Sequence, residues 1–165
     1  MSSGTFSAVW TTQAKTTFAK MLAGIVPGPT TPMAYFKVGL GGRYANGEVR
    51  APDPDLLDLD IISNPSRYPQ YPDPPYDIPD YGSAALTPLS GGTGSVSVPV
   101  AGTVRATCVL DGATYNSAST TLAAPPLICE VAVFDSDDVM VGYGTFGGVL
   151  KVAGKTVTLT LDFVL

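Results

Sequence analysis

The stretch LICEVAVFDSDDVMVGYGTF, residues 127–146, decides the fold class of this chain. It begins with an almost continuous apolar run, which is typical of a strand covered on both faces. The polar DSDD that follows indicates a turn, and VMVGYGTF indicates a second strand. Gly142 and Gly144 fall on one face of that second strand, where another backbone or a large ring can approach closely. The stretch therefore predicts a β-hairpin within a larger sheet.

Three more strands are predicted between residues 94 and 165, each with the alternation of a strand that has one apolar face. The alternation groups these residues, strand by strand: Val96, Val98 and Val100; Val104, Ala106, Cys108 and Leu110; Val157, Leu159, Leu161, Phe163 and Leu165. Short turns join the strands, as in antiparallel sheets. We therefore expect residues 94–165 to form an antiparallel β core, built as a β-sandwich or a sheet.

One helix is predicted over residues 11–24. Its apolar face has helical spacing and consists of Ala14, Phe18, Met21 and Leu22. Thr11 or Thr12 suits the N-cap, and Gly24 suits the position after the last turn. The N-terminal part of the chain is thus expected to supply a single helix of about three turns.

A short apolar run at residues 33–38 predicts a buried strand, and a glycine cluster follows it. We interpret Gly39, Gly41 and Gly42 as a turn with left-handed residues. A phosphate-binding loop is disfavoured, because the GxxxxGK[ST] pattern is missing and no helix pattern follows. Together these elements predict a mainly β chain (α+β) of one domain, residues 1–165.

Residues 50–90 are rich in proline and aspartate and are predicted to form a long extended arm or loop. An apolar patch near its start can dock as a strand or a single turn, and it consists of Leu56, Leu57, Leu59, Ile61 and Ile62. Further on, RYPQYPDPPYDIPDYG mixes tyrosines with prolines, which favour polyproline II geometry and remove backbone donors. Tyrosine and proline bury large area at low entropic cost, so we predict partner contacts by Tyr68, Tyr71, Tyr76, Tyr81, Pro74 and Pro75.

Two arrangements of this arm are open at the level of sequence. In the first, the arm lies over a neighbouring subunit. In the second, it folds back over the apolar face of its own sheet. A third interpretation, a proline-rich ligand of an SH3-like domain, has weak support because the PDPP motif has no flanking basic residues.

The charge pattern narrows the classes of partner. The 165 residues carry a net charge of −5 and only 14% are charged, where about 25% is typical, so we expect another molecule to cover part of the surface. The nine basic residues are scattered, so nucleic acid is not an expected partner. No apolar run reaches the roughly 18 residues of a membrane span, and the N-terminal residues do not resemble a signal peptide.

The residue types do not favour catalysis. Histidine is missing, which removes the commonest general base and metal ligand. Glu130 is a candidate general acid inside an apolar run, but a structural role is favoured, paired with Arg105 or accepting backbone N–H bonds. No S-x-x-K pattern offers a lysine base to a serine nucleophile. We therefore predict that the chain is not an enzyme and has no cofactor.

The clustered aspartates and the two cysteines also favour structural roles. Calcium needs about six to eight oxygen ligands, and neither cluster has the pattern of a calcium loop. The clusters are Asp53, Asp55, Asp58 and Asp60, and Asp135, Asp137 and Asp138. Turn capping by aspartate explains both, so no metal site is predicted. Cys108 and Cys129 lie in strand-like runs without a secretion signal, so we expect two reduced thiols.

The segment EVAVFDSDDVMVGYGTF, residues 130–146, resembles the E-[IVL]-[AG]-[IVL]-[FY]-D-x-[DN]-x-x-[LMV]-x-x-[YV] segment of phage tail-collar fibre proteins. The matching positions are Glu130, Val131, Ala132, Val133, Phe134, Asp135, Asp137, Met140 and Tyr143. The helix of residues 11–24 followed by VGLGG is also similar to the family's opening helix and glycine turn. The resemblance implies a structural hairpin in an attachment domain, carried here by Glu130, Phe134, Asp135, Asp137 and Tyr143.

In functional terms, the resemblance implies a structural virion protein of a tailed bacteriophage, in the tail tip, baseplate or fibre-attachment region. Such a subunit acts through interfaces in a homo-oligomer, as a ring or a trimer, with other tail or virion proteins as partners. Its expected location is the virion, after assembly in the host cytoplasm. The alternative is a carbohydrate- or surface-binding β-sandwich module whose arm tyrosines stack on sugars. A small hydrolase ranks last because histidine is missing.

Overall fold

The computed structural model describes residues 2–25, 32–44, 46–59, 86–111, 127–152 and 154–165. Within these ranges the chain forms eight strands, one α-helix and a short 3-10 helix that joins β3 to β4. In chain order the elements are β1 Ser2–Trp10, α1 Thr12–Leu22, β2 Met33–Gly39, β3 Thr87–Pro88, the 3-10 helix Gly91–Thr93, β4 Gly94–Val100, β5 Thr103–Leu110, β6 Leu127–Asp135, β7 Met140–Leu150 and β8 Val157–Val164. The predicted mainly β class with one N-terminal helix is confirmed.

The described strands belong to one sheet, in the order β3-β2-β6-β7-β1-β8-β5-β4. The two edge strands, β3 and β4, are consecutive in the chain, and only residues 89–93 separate them. A link this short holds the two edges of the sheet within about 20 Å of each other, so the sheet curls into a nearly closed barrel. Of the two predicted arrangements, the described strands therefore show a sheet and do not show a sandwich.

Strand β1 is the element that the sequence analysis did not predict. It runs parallel to β8, with Ser2 opposite Val157 and Ala8 opposite Phe163. It meets β7 only through its last two residues, Val9 and Trp10. The core is therefore not purely antiparallel, although the pairs β4–β5, β5–β8 and β6–β7 are antiparallel as expected.

The concave side of the sheet encloses the main core. The ring centroid of Trp10 lies 5.0 Å from the ring centroids of both Phe18, which it meets edge-on, and Phe163. Its Nε1 donates to the carbonyl of Val164 at 2.9 Å. The other buried members come from nearly every strand: Phe36, Val38, Leu40, Leu89, Ala106, Cys108, Leu110, Ile128, Val131, Val133, Phe146, Val157, Leu159 and Leu161. The alternation predicted for β5 and β8 is confirmed, since their apolar faces supply much of this core, except at Leu165, which lies beyond β8 and is exposed.

A second, smaller core covers the opposite face of β6 and β7. It is formed by Leu56, Leu59, Ala132, Phe134, Met140 and Tyr143. Because both faces of β6 are covered, nearly all of its residues are buried, as the continuous apolar run predicted. In the apolar patch predicted from sequence, Leu56 and Leu59 dock as expected, whereas Leu57 is exposed and Ile61 and Ile62 lie outside the described residues.

The helix α1 begins and ends as the sequence predicted. Thr11 is the N-cap, because its Oγ1 accepts from the N–H of Ala14 at 3.2 Å. Gly24 has a φ of +70° after the last turn, which glycine adopts without strain. Ala14 is buried, but the predicted apolar face is covered only in part, since Leu22 is 91% exposed.

The first predicted alternating strand, β4, differs from its expected pattern. Val96, Val98 and Val100 are all exposed. The register with β5 is irregular between Ser97 and Val100, and Pro99, which cannot donate a backbone hydrogen bond, lies inside that irregular part. The three valines therefore do not form the covered face of an interior strand.

Candidate functional site

The residues of the predicted structural hairpin meet at a buried hydrogen-bond network around Glu130. The side chain of Glu130 is completely buried. Its Oε2 accepts from the hydroxyl of Tyr143 at 2.6 Å, and its Oε1 accepts from the N–H of Gly41 at 2.8 Å. The expected acceptance of a backbone N–H bond is thus confirmed. The carboxylate ties together three parts of the fold: β6, β7 and the glycine turn after β2.

The glycine turn is needed for close approach rather than for left-handed geometry. Gly39 lies opposite Glu130 in the β2–β6 ladder, and a Cβ there would overlap the Glu130 carboxylate. A Cβ on Gly42 would overlap the carbonyl oxygen of Cys129. Neither of these two glycines has a positive φ, and neither does Gly41. The sequence-based interpretation as left-handed residues was therefore wrong.

Asp135 builds the turn between β6 and β7. Its Oδ1 accepts from the backbone N–H groups of Asp137 at 2.9 Å and Val139 at 3.0 Å. Asp138 has a φ of 61°, a left-handed conformation that aspartate tolerates better than most residues. Turn capping, which the sequence analysis favoured over calcium, is what Asp135 does. Asp137 itself is exposed. Phe134, the residue before Asp135, packs in the smaller core.

The predicted pair between Glu130 and Arg105 is not formed. Arg105 lies on β5 and makes a bidentate ion pair with Asp162 of the neighbouring strand β8, with both N–O distances at 2.7 Å. The two residues are directly opposite each other in the ladder, which is why this pair forms. The hydrogen bond from Arg105 lowers the pKa of Asp162 below its usual range. Glu130 lies on β6, which is not a neighbour of β5 in the sheet.

The first residues of the predicted arm, residues 50–59, are fixed to the protein's own sheet, and we call them the arm root. Lys37 on β2 binds both carboxylate oxygens of Asp58, at 2.9 and 3.2 Å. Thr145 on β7 donates to the carbonyl of Arg50 at 2.6 Å. Thr12 holds the root from the helix side, because its N–H donates to the carbonyl of Pro54 at 2.8 Å.

The aspartates of the arm root have structural roles. Asp53 accepts from the backbone N–H of Asp55 at 3.0 Å, and Asp58 accepts from that of Leu59 at 2.7 Å. Asp55 also accepts from the hydroxyl of Thr12 at 2.5 Å. Turn capping is therefore confirmed for Asp53, whereas Asp55 bonds to Thr12 and Asp58 pairs with Lys37. Asp60 lies outside the described residues.

The predicted contact residues of the arm lie outside the described residues. They are Tyr68, Tyr71, Tyr76, Tyr81, Pro74 and Pro75. The arm root folds back on its own sheet, and Leu86, at the far end of the arm, also packs against the smaller core. The question of whether the tyrosines contact a neighbour or the same chain therefore stays open.

Three side chains with reactive groups, Cys108, Cys129 and Lys151, are buried away from solvent. Burial raises the pKa of Cys108, and burial together with the Glu130 charge raises the pKa of Cys129 to about 12. Both are free thiols, and a thiol with so high a pKa carries almost no thiolate at neutral pH. Lys151 is completely buried, and desolvation lowers its pKa against the opposing effect of Asp111. Cys108 is part of the main core, and Cys129 and Lys151 are buried outside the two core clusters.

The described residues hold neither a group of metal ligands nor a membrane-spanning helix. Over these ranges, no group of three or more cysteines, aspartates or glutamates is placed to hold a metal ion. The helix in the same part of the chain is too short and too polar to cross a membrane.

Comparison of the chain with protein-family models, with curated proteins and with solved structures finds no match. The resemblance to phage tail-collar fibre proteins therefore rests on the hairpin residues and on the helix followed by VGLGG. It stays a prediction.

Sequence reasoning identified the hairpin residues but missed how they connect. In the hairpin, Ala132 is opposite Tyr143 and Glu130 is opposite Thr145. This register places the side chains of Glu130 and Tyr143 diagonally on one face, within reach of each other. Counting outward from the DSDD turn does not give the pair, because the register shifts by one residue between Val133 and Phe134. The anchoring of the arm root by Lys37 and Thr145 also has no signal in the sequence.

Proposed function

We propose that this chain is a structural virion protein of a tailed bacteriophage, a tail-tip, baseplate or fibre-attachment subunit that acts through subunit interfaces. The observation that carries the proposal is the hairpin of β6 and β7. Its residues that match the collar-fibre segment serve the architecture: Glu130 joins Tyr143 and Gly41, and Asp135 builds the turn. Such a hairpin supplies a rigid scaffold, as an attachment domain requires.

The interface of the proposed assembly lies on the extended arm beyond the arm root. The root is held to the sheet by the Lys37–Asp58 pair and by the burial of Leu56 and Leu59. A root fixed in this way starts the arm from a defined place on the surface. Tyrosine and proline then bury large area against the next subunit of a ring or trimer at low entropic cost.

Deletion of residues 67–82 tests this proposal. The deletion removes none of the described residues that form the two cores, so we expect the melting temperature to stay close to that of the full chain. Light scattering is expected to show a ring or trimer for the full chain and the loss of that assembly for the deletion variant. As a control, Tyr44→Ala removes an exposed tyrosine on the described surface and should leave the assembly intact.

Two outcomes would contradict the proposal. A deletion variant that assembles with the full yield of the parent would show that the arm is not the interface. A chain that stays monomeric and binds glycans through its arm tyrosines would support the carbohydrate-binding alternative instead.

A further inference from the structure

Strand β4 is an edge strand with properties that monomeric proteins avoid. It runs for seven residues and pairs with β5 on one side, while the described part of the chain gives it no ladder partner on the other. Residues 94–104 contain no charged side chain. Natural proteins protect long edges with lysines, bulges or proline, and β4 has only the irregular part around Pro99. Within the described residues, the edge is left open over residues 95–98.

Exposed aliphatic side chains surround this open edge. Val98 is 68% exposed and Val164 is 69% exposed. Thr103 lies between Val100 and Val164 in the ladder, so these two valines belong to one row across three strands. Leu165 lies next to this row, beside the β4–β5 turn, because its N–H donates to the carbonyl of Gly102 at 2.8 Å. Backbone groups and an apolar patch are therefore available at the same place.

We propose that β4 is a dimerisation edge that pairs with β4 of a second copy of this chain. An open edge is recognised by another extended backbone that is itself free on one side. In the described sheet the other edge, β3, is two residues long and ends in Pro88, so a second copy offers only β4 as an edge of sufficient length. Antiparallel pairing of β4 with itself is isologous and closes at two subunits.

The chemistry of the edge fits this partner. The lack of charge means that two copies meet at β4 without repulsion, although each carries a net charge of −5. Pro99 has no N–H to donate and therefore ends the ladder, so the pairing involves residues 95–98 of each subunit. Beyond the ladder, Val100, Val164 and Leu165 of each copy lose exposed apolar surface, which stabilises the contact.

This dimer goes beyond the proposed function and does not depend on the arm. If the arm forms a ring or trimer, the two-fold contact at β4 doubles that assembly. If the arm forms none, β4 still gives a dimer.

The test is the mass of the full chain in solution, measured by light scattering from micromolar to submillimolar concentration, with two variants. Val98→Lys places a charge on the open edge, while the exposed side chain leaves both cores intact. Leu57→Lys is the matched control. Leu57 is 72% exposed and lies in the arm root, which covers β6 and β7 and not β4. We expect Val98→Lys to halve the mass and to weaken the dimer about tenfold or more, and Leu57→Lys to change nothing.

Hydrogen exchange of the β4 amides gives the second measurement. Alternate amides of β4 already bond to β5, so the informative amides of residues 95–98 are those that point away from β5. We expect these amides to be protected in the dimer and to exchange freely in Val98→Lys. A monomeric full chain, or a mass that Val98→Lys leaves unchanged, would overturn the proposal. Protection of these amides in a monomer would also overturn it, because the edge would then be covered from within the same chain. The deletion of residues 67–82 tests the arm alone, so the two proposals fail separately.

Discussion

At the scale of single residues, a close neighbouring group restricts which side chain several positions of this chain can accept. Gly142 on β7 is the clearest case, because a Cβ at this position would overlap the ring of Phe163. The sequence analysis expected a ring or a backbone to approach here, and that expectation is confirmed for Gly142. The neighbouring strand segment also contains Gly147, where a Cβ would meet no atom within 4 Å.

Gly142→Ala is predicted to destabilise the protein by about 1–3 kcal/mol, the usual cost of overpacking a filled core. Thermal or urea unfolding measures the change. Gly147→Ala on the same strand is the control, and we expect it to change the free energy of unfolding far less. Equal losses for both variants would show that the ring of Phe163 does not restrict this position.

Glu130→Leu is predicted to destabilise the protein by about 2–6 kcal/mol, because the N–H of Gly41 and the hydroxyl of Tyr143 would each lose their acceptor in a buried place. Glu130→Gln keeps a carbonyl acceptor and should cost less. Chemical unfolding of the two variants measures the difference. A Glu130→Leu variant as stable as the parent would contradict the role of the carboxylate in joining β6, β7 and the glycine turn.

At the scale of elements, the helix α1 depends on its N-cap residue, Thr11. The Oγ1 of Thr11 accepts from the N–H of Ala14 and donates to the carbonyl of Met140 on β7 at 2.8 Å, so one buried hydroxyl caps the helix and fixes it to the sheet. Thr16 also lies in the helix, but its hydroxyl is exposed and donates only to the carbonyl of Thr12.

Thr11→Ala is predicted to cost about 1–2 kcal/mol, the typical value for a lost N-cap. Circular dichroism during thermal unfolding measures the effect. Thr16→Ala is the matched control and should leave the melting temperature nearly unchanged. A loss at Thr16 as large as that at Thr11 would mean that the cap contributes little.

The elements that the sequence predicted are those with a strong period. The helix and strands β5 and β8 were found because their apolar residues repeat at fixed spacing and face one core. Strand β1 was missed, because SSGTFSAVW is dominated by small polar residues and its pairing partner lies more than 150 positions away. The partner of Glu130 was missed for a related reason: sequence gives the face of a side chain but not its neighbour on another strand.

At the scale of the whole molecule, the response to acid depends on pairs such as Arg105 and Asp162. The pKa of Asp162 is lower in the folded state than its ordinary value, so its contribution to stability is present above a pH of about 3.9 and is lost as the pH falls through the lowered pKa. The pair is partly exposed, and salt is expected to weaken it.

Asp162→Asn is predicted to lower stability at neutral pH and to converge with the parent protein in strong acid. Unfolding by urea across that pH range measures the two free energies. Asp137→Asn is the control, since among the described residues no lysine or arginine forms an ion pair with Asp137. A difference between Asp162→Asn and the parent that is constant at all pH values would contradict this account.

The parallel pairing of β1 with β8 has a consequence for how the nascent chain folds. Ser2 finds its ladder partner only when Val157 has left the ribosome, so the centre of the sheet forms after more than 150 further residues have been synthesised. Contacts between residues so distant in sequence are slow to form. Until then the apolar faces of β5 and β6 have no complete cover, and a growing polypeptide in this state is exposed to aggregation. Nascent copies of this chain are therefore expected to aggregate with one another if they are translated close together.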